Sequence, residues 1–273
     1  MEEPVGFITH FVNHIFGPAA LYLLSILHVT PENPSLPIPQ AVVMGVVVAL
    51  GLIIVALILR SRLSVERPGA LQQIAESLLS NPLGFGIKDI LVDNAGHDAL
   101  RYIPFVGSIS IFILFANLFG AIPNTFLSPP TGVVTIPLAC ATLTFLYFNW
   151  QGMRHHGPGG YIWHFSGPVW WLSPLMLPVE MISTVARVLS LTVRLWANIF
   201  ASDLLYYIFL SLLSGLAAWG WEKTAVGGVF LGIFAATLPV LFLGLHLLVT
   251  VIQAYVFTIL PAVYLGIATA DEH

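Results

Sequence analysis

Long apolar runs divide the chain into segments that are long enough to cross a lipid bilayer. The runs lie at about 41–59, 103–122, 133–150, 178–213 and 227–267, and charged residues, prolines or glycines separate them. A helix needs roughly 20 apolar residues to span the hydrocarbon core, so these runs predict five crossings. The last two runs are longer than that and predict long, strongly tilted helices. The pattern therefore predicts an all-α polytopic membrane protein.

Residues 1–40 differ from these runs, because polar side chains interrupt their apolar stretch and a proline-dense segment ends it. We expect an N-terminal interfacial segment followed by a loop in water on the outer side. His10 and His14 are four residues apart and share a helical face. A metal pair is the alternative interpretation, but no carboxylate stands beside them to complete a ligand set. The remaining residues, 41–273, are predicted to form a single integral membrane domain.

The segment 68–91 is less hydrophobic than the crossings and mixes polar side chains with leucines. This pattern predicts an amphipathic helix on the membrane surface. The sequence Asn81-Pro82, followed by Gly84, predicts a break in that helix.

The composition supports a membrane protein and excludes several other classes. The chain has 273 residues, of which 58% are hydrophobic and only 8% charged, and its mean hydropathy is +0.92. Soluble domains carry roughly 25% charged residues, so these charges are too few to cover a water-facing surface. The single cysteine, Cys140, excludes a disulfide framework and a thiol metal site. No basic cluster indicates nucleic acid, and no phosphate loop indicates nucleotide chemistry.

The cationic residues predict the orientation of the chain. Positive side chains concentrate on the cytoplasmic side of membrane proteins. Six of the nine lysines and arginines then fall on the inner side, and Lys223 alone falls on the outer side. Arg187 and Arg194 lie within the fourth crossing. This count predicts an outer N-terminus and a cytoplasmic C-terminus.

The fourth crossing carries more polar residues than helix packing needs. At roughly 100° per residue, six of its side chains fall on one helical stripe: Glu180, Ser183, Arg187, Ser190, Arg194 and Asn198. Serines alone would suit a packing stripe, whereas an ionisable group at membrane depth costs at least about 2.5–3.5 kcal/mol. We therefore favour an ion or proton path over packing as the reason for this stripe.

Asp203 lies about half a turn away from Arg194 and must face a different crevice. The last crossing offers His246 as a neighbour, with Gln253 on the same helical face, and Asn117 lies near the outer end of the second crossing. A histidine on an apolar face is usually only hydrogen-bonded. A carboxylate beside it makes a proton relay the better interpretation here.

Two crevices on opposite faces of one helix predict two aqueous half-paths with an arginine between them. Arginine does not deprotonate in proteins, so Arg194 can act as a fixed positive barrier but cannot pass a proton on. No carboxylate of this chain lies on its face at its depth, so the group that it meets must come from another chain.

Other functional classes fit the sequence less well. A self-contained proton-coupled transporter is the main alternative, but its expected related halves are missing. An intramembrane hydrolase would need a motif such as HExxH or GxSxG, and neither occurs. A purely structural role leaves the arginine unexplained.

Several motifs resemble subunit a of the F-type ATP synthase membrane sector, bacterial type. They are RPGALQQIAE, ANLFGAIP, LPVEMIS, SLTVRLWANIFASDLL and GLHLLVTVIQAYVFTILPAVYL, which match the family in order and spacing. The resemblance covers nearly the whole chain from about residue 41 onward.

The resemblance implies a proton-translocating stator subunit without a catalytic residue, metal or cofactor of its own. Its implied partners are the c-ring subunits, the peripheral-stalk b subunits, the rest of the ATP synthase and the lipid bilayer. Its implied location is the bacterial inner membrane. Arg194 is similar to the essential arginine that faces the c-ring carboxylates. The other implied positions are Asn198, Ser190 and Arg187 on the ring face, Asp203, His246, Asn117 and Gln253 in the outer half-channel, and Glu180 at the inner exit.

Two features depart from the family pattern. Asp203 is shorter than the glutamate often found at its position, and Gly120 and the segment PTGVVTIP lack acidic or amide groups that some members have. The resemblance therefore supports the assignment of Arg194 more strongly than it supports the assignment of the residues that line the outer half-channel.

Overall fold

The protein is an assembly of α-helices, and a computed structural model describes residues 6–26, 28–31, 33–81, 84–96, 99–120, 129–164 and 173–269. No strand occurs within these ranges. The helices are α1 (Phe7–Ile26), α2 (Gln40–Ser61), α3 (Ala70–Leu79), α4 (Ile87–Ala95), α5 (Ala99–Gly120), α6 (Thr135–His164), α7 (Ser173–Lys223) and α8 (Ala225–Ala268). The first five and last four residues, to which the predicted orientation refers, lie outside the described ranges.

The all-α polytopic fold is confirmed. Within the described residues, five helices are long and apolar enough to cross a membrane, namely α1, α2, α5, α7 and α8. This set includes α1, which the sequence placed at the interface, and leaves out α6, which contains the predicted third crossing. The interfacial place of α1 and the crossing by α6 stay predictions.

Two very long helices, α7 and α8, form the central feature of the fold. They contain 51 and 44 residues, so at about 1.5 Å per residue each far exceeds a core of ~30 Å. Phe209 stacks on Phe242, and near the other end the Arg187 guanidinium lies over the Tyr264 ring. These contacts show that the helices pack antiparallel along most of their length.

The turn between α7 and α8 corrects the sequence prediction. The sequence pattern places the charged residues Glu222 and Lys223 in a connection between the apolar runs 178–213 and 227–267. Helix α7 instead continues through Lys223, and Thr224 alone is extended. Its hydroxyl oxygen accepts a hydrogen bond of 3.0 Å from the N–H of Gly227 and so caps α8. A lysine in the last turn of a helix is favourable for the helix dipole, which explains why the charge does not end α7.

The surface segment is broken where the sequence predicts. Helix α3 ends at Leu79 and α4 begins at Ile87, with Gly84 between them at φ +76°. Helix α4 does more than rest on the membrane, because Leu91 is fully buried in an apolar cluster. That cluster joins α4 to α5, α6 and α8 through residues such as Tyr102, Phe148 and Leu265. The described surface segment is thus anchored in the core at its second half.

A second apolar cluster holds α7 in place at the level of the polar stripe. Leu195, Ile199 and Phe257 are fully buried there together with Ile113 of α5. Leu195 and Ile199 lie on the opposite side of α7 from its exposed residues. The packing therefore fixes which face of α7 is turned away from the rest of the chain.

Candidate functional site

Arg194 lies on the face of α7 that the chain leaves open. Its side chain and that of Ser190 are exposed, whereas Asn198 is half-buried. Within the described ranges, no carboxylate lies within ion-pair distance of the Arg194 guanidinium. The face around it is apolar, since Val185, Leu189 and Val193 are more than half exposed. A cation in such a setting requires a counter-charge from outside the described chain or from water.

Glu180 and Arg187 form an ion pair two turns nearer the start of α7. The Arg187 Nη2 donates to Glu180 Oε1 over 3.1 Å, and both side chains are half-buried. The Arg187 guanidinium also lies over the Tyr264 ring, 5.1 Å from its centre, which is a cation–π distance. Arg187 is thus turned toward α8, although a helical wheel puts it on the same stripe as Arg194.

A cleft of about 360 Å³ opens beside this pair. Glu180 and Arg187 supply its charged groups, and Tyr161, Tyr264 and Thr184 supply hydroxyls. The other lining residues are apolar, and they come from α6, α7 and α8. This cleft can admit water to the Glu180 carboxylate without passing Arg194.

Asp203 and His246 meet on the other side of α7. The distance from His246 Nδ1 to Asp203 Oδ1 is 3.8 Å. The imidazole is almost fully buried, whereas the carboxylate side chain keeps 29% of its surface exposed. The predicted pairing of these residues therefore exists in the structure, and the carboxylate is its accessible member.

Asn117 contacts the other nitrogen of the same imidazole. His246 Nε2 lies 3.3 Å from the backbone oxygen of Asn117. The imidazole therefore lies between the Asp203 carboxylate and the Asn117 carbonyl, with one ring nitrogen facing each of these oxygens.

Buried polar atoms continue from His246 along α8. Thr250 and Gln253 follow at the spacing of one helical face and are almost fully buried. Among the described residues, the Thr250 hydroxyl, the Gln253 Oε1 and the Asn117 Nδ2 have no hydrogen-bond partner. Water is the usual partner of such buried groups, so we expect water to bind these atoms between α5 and α8.

The structure thus brings the predicted residues together in two groups that Arg194 separates. Asp203, His246 and Asn117 are in contact, and Glu180 and Arg187 are in contact. Gln253 lies further along the face of His246, and Asn198 and Ser190 stay on the side of Arg194.

Sequence reasoning missed Thr131 and Tyr161. Thr131 is bonded to Asn117, and Tyr161 lines the cleft beside Glu180. A hydroxyl in the short turn PPTG was the available signal for Thr131, whereas no local pattern marks Tyr161.

Comparisons with known proteins identify the family of this chain. The family model described as "ATP synthase A chain" matches residues 41–266. The chain belongs to this family. The "ATP synthase subunit a" of Koribacter versatilis is 37% identical over 273 residues, which is the full length of both chains. That of Solibacter usitatus is 37% identical over 96% of this chain and 100% of the relative, and that of Nitratidesulfovibrio vulgaris strain DP4 is 40% identical over 84% of each.

The range matched by the ATP synthase A chain model contains every candidate residue, from Asn117 to Gln253. It begins at the second residue of α2 and leaves out α1. The two polar groups and the open face of α7 therefore belong to the part of the chain that defines the family.

Proposed function

We propose that this chain is the proton-translocating stator subunit of an ATP synthase membrane sector. In this proposal it provides two aqueous half-channels to a c-ring, and Arg194 separates them. The observation that carries the proposal is the position of Arg194, which is exposed on an apolar face while the two polar groups lie elsewhere on α7.

Arg194 needs an anion that the described part of the chain does not supply. A carboxylate of the c-ring would meet this need and would be held in its ionised form. Because arginine keeps its proton, the ring carboxylate must take protons from one half-channel and release them into the other. Asn198 and Ser190 would line the same contact on either side of Arg194.

Protons would enter from the outer side through the group formed by Asp203 and His246. Asp203 is exposed enough to exchange protons with water, and His246 Nδ1 faces it at 3.8 Å. The unpaired atoms of Asn117, Thr250 and Gln253 support a water route that continues from this pair into the membrane. The route would end where the ring carboxylate arrives.

Protons would leave on the inner side past Glu180. The cleft beside it holds a carboxylate next to two tyrosine hydroxyls. The Glu180 carboxylate, which pairs with Arg187 beside this cleft, would accept a proton briefly and release it to water. Each proton that crosses 100 mV supplies about 2.3 kcal/mol for rotation.

The chain would catalyse no bond cleavage itself and would hold no metal or cofactor. Its partners would be the c-ring, the b subunits of the peripheral stalk and the remainder of the ATP synthase. It would lie in the bacterial inner membrane with its N-terminus outside and its C-terminus in the cytoplasm, as the positive side chains predict.

The test is Arg194→Ala in the assembled complex in membrane vesicles. We expect ATP-driven proton pumping to be abolished, because the barrier between the half-channels is lost. Arg154→Ala, which removes an exposed arginine of α6, is the matched control and should pump normally. Normal pumping by Arg194→Ala would contradict the proposal.

A second measurement separates the proposal from a self-contained transporter. The chain reconstituted alone in vesicles should show no coupled proton flux, since its arginine faces a missing partner. Flux restored by adding a ring of small two-helix subunits would support the stator role. Coupled transport by the chain alone would favour the transporter.

A further inference from the structure

The turn that precedes α6 packs against the outer polar group, which consists of Asp203, His246 and Asn117. Pro130–Gly132 form a single 3₁₀ turn, and Thr131 within it is fully buried. The turn contacts both α5 and α7. Gly132 lies close to the carboxylate of α7, because a Cβ added there would be 4.0 Å from Asp203 Oδ2. The turn is therefore a wall of the site and not only a connection.

The contact between this turn and α5 is tight. A Cβ added at Gly120 would lie 2.9 Å from Pro129 Cβ and 3.3 Å from His246 Nε2. The missing side chain lets the turn approach α5 beside the imidazole. The position of Thr131 relative to Asn117 and His246 is thus fixed by packing on two sides.

The Thr131 hydroxyl donates a hydrogen bond to the side-chain Oδ1 of Asn117. Both residues are fully buried, so this bond is shielded from competing water. The bond holds the Asn117 oxygen toward Thr131, and the N–H groups of the carboxamide have no hydrogen-bond partner among the described residues. The hydroxyl therefore decides which end of the amide remains available.

We propose that Thr131 is a positioning residue of the outer half-channel, which orients the Asn117 carboxamide so that it offers hydrogen-bond donors to the water route beside His246. Without the hydroxyl, the amide could turn and offer its oxygen instead. An amide N–H that donates to the first water of the route fixes the orientation of that water. This orientation is lost when the amide turns. This inference rests on the proposed function, since it concerns the entry path of the same subunit.

The test replaces the hydroxyl and keeps the shape. In the assembled complex, Thr131→Val should lower passive proton conductance per membrane sector about fivefold, the typical effect of losing one buried hydrogen bond. Thr131→Ser, which keeps the hydroxyl, should retain most of the conductance. Thr144→Val is the matched control, because Thr144 is equally buried but bonds only to the Cys140 carbonyl of its own helix. We expect normal conductance from this control.

A double-mutant cycle tests whether Thr131 acts through Asn117. Asn117→Leu should reduce conductance, and adding Thr131→Val to it should cause no further loss. Additive losses would overturn the proposal, as would normal conductance of Thr131→Val or failure of Thr131→Ser to restore it. If valine prevents assembly, Thr131→Ala takes its place in the same comparisons.

ATP-driven proton pumping, measured in the same vesicles, separates this inference from the proposed function. Arg194→Ala and Asp203→Asn are measured beside the Thr131 variants. If these two lose coupled flux while Thr131→Val is normal, only the positioning role fails. If Asp203→Asn conducts normally as well, the outer entry path fails with it.

Discussion

At the scale of single residues, spacing along a helix predicts the direction of a side chain but not the groups that the side chain contacts. The wheel puts Arg187 and Arg194 on one stripe, yet Arg187 turns to Glu180 and Tyr264 while Arg194 stays exposed. A long, flexible arginine side chain can reach groups well away from its own Cβ direction. Two residues on one stripe therefore differ in their surroundings, and only tertiary contacts show which one is open to a partner.

The same limit applies to the outer group. The sequence predicted that His246 has Asp203 and Asn117 as neighbours, and both contacts exist. It did not predict that Asn117 uses its backbone oxygen for His246 and its side chain for Thr131. Thr131 lies in a turn whose place depends on long-range packing, which no local pattern encodes.

Asp203 provides the first prediction at this scale. Asp203→Asn should reduce proton entry strongly, because an amide cannot hold the exchanged proton, whereas Asp203→Glu should retain most of it. Proton conductance of the assembled sector is the measurement. Asp93→Asn, an exposed position of α4, is the control. Equal and unaltered conductance in both Asp203 variants would remove this residue from the path.

The second prediction at this scale concerns Glu180. Glu180→Gln should slow proton release to the inner side, because the group can no longer be ionised. Its pair with Arg187 is partly exposed, so the loss of stability should be only about 0–1 kcal/mol. Conductance and thermal denaturation of the complex together distinguish the two effects. Glu66→Gln, at an exposed position outside the helices, should change neither.

At the scale of elements, the sequence predicted boundaries better than burial. It placed the break between α3 and α4 correctly, because Gly84 and its neighbours are turn formers. The sequence did not distinguish α4, which packs in the core, from α3. Leucines and isoleucines suit a membrane surface as well as a protein core. The fully buried Leu91 shows that α4 belongs to the core.

The approach of α8 to the end of α4 can be tested at Gly266. A Cβ added there would overlap the backbone oxygen of Asn94, and backbone cannot move aside as a side chain can. Gly266→Ala should therefore destabilise the protein by about 1–3 kcal/mol. Gly244→Ala, where nothing lies within 4 Å, should be neutral or stabilising by up to about 1 kcal/mol. Thermal denaturation of both variants checks the sign; equal stabilities would refute the close approach.

At the scale of the whole molecule, the apolar runs and the helices of the described residues give two different sets of five candidate crossings. Helix α1 is apolar enough to cross, and α6 is not among the candidate spans. The polar side chains of α6 are concentrated in its second half, from Asn149 onward, which leaves the apolar part of this helix short. The choice between a crossing and an interfacial helix depends on what α1 contacts.

The contacts of α1 support an interfacial position. The Asn13 side chain donates to the Ile38 backbone oxygen over 3.1 Å and accepts from its N–H over 2.9 Å. The Gly6 N–H lies 3.4 Å from the Gln40 side chain, and Gly17 packs against Pro37. An antiparallel hairpin would bring the end of α1, not its start, to the beginning of α2. The first half of α1 instead lies across the N-terminal end of α2.

This geometry predicts the outcome of a labelling experiment that decides the topology. In the complete complex with Cys140→Ser, single cysteines are placed at the exposed residues Phe7 and His28, at the two ends of α1, and at Ser64, after α2. We expect a membrane-impermeant reagent to label Phe7→Cys and His28→Cys from the same, outer side, and Ser64→Cys only from the inner side. Labelling of Phe7→Cys and His28→Cys from opposite sides would make α1 a crossing and place the N-terminus in the cytoplasm.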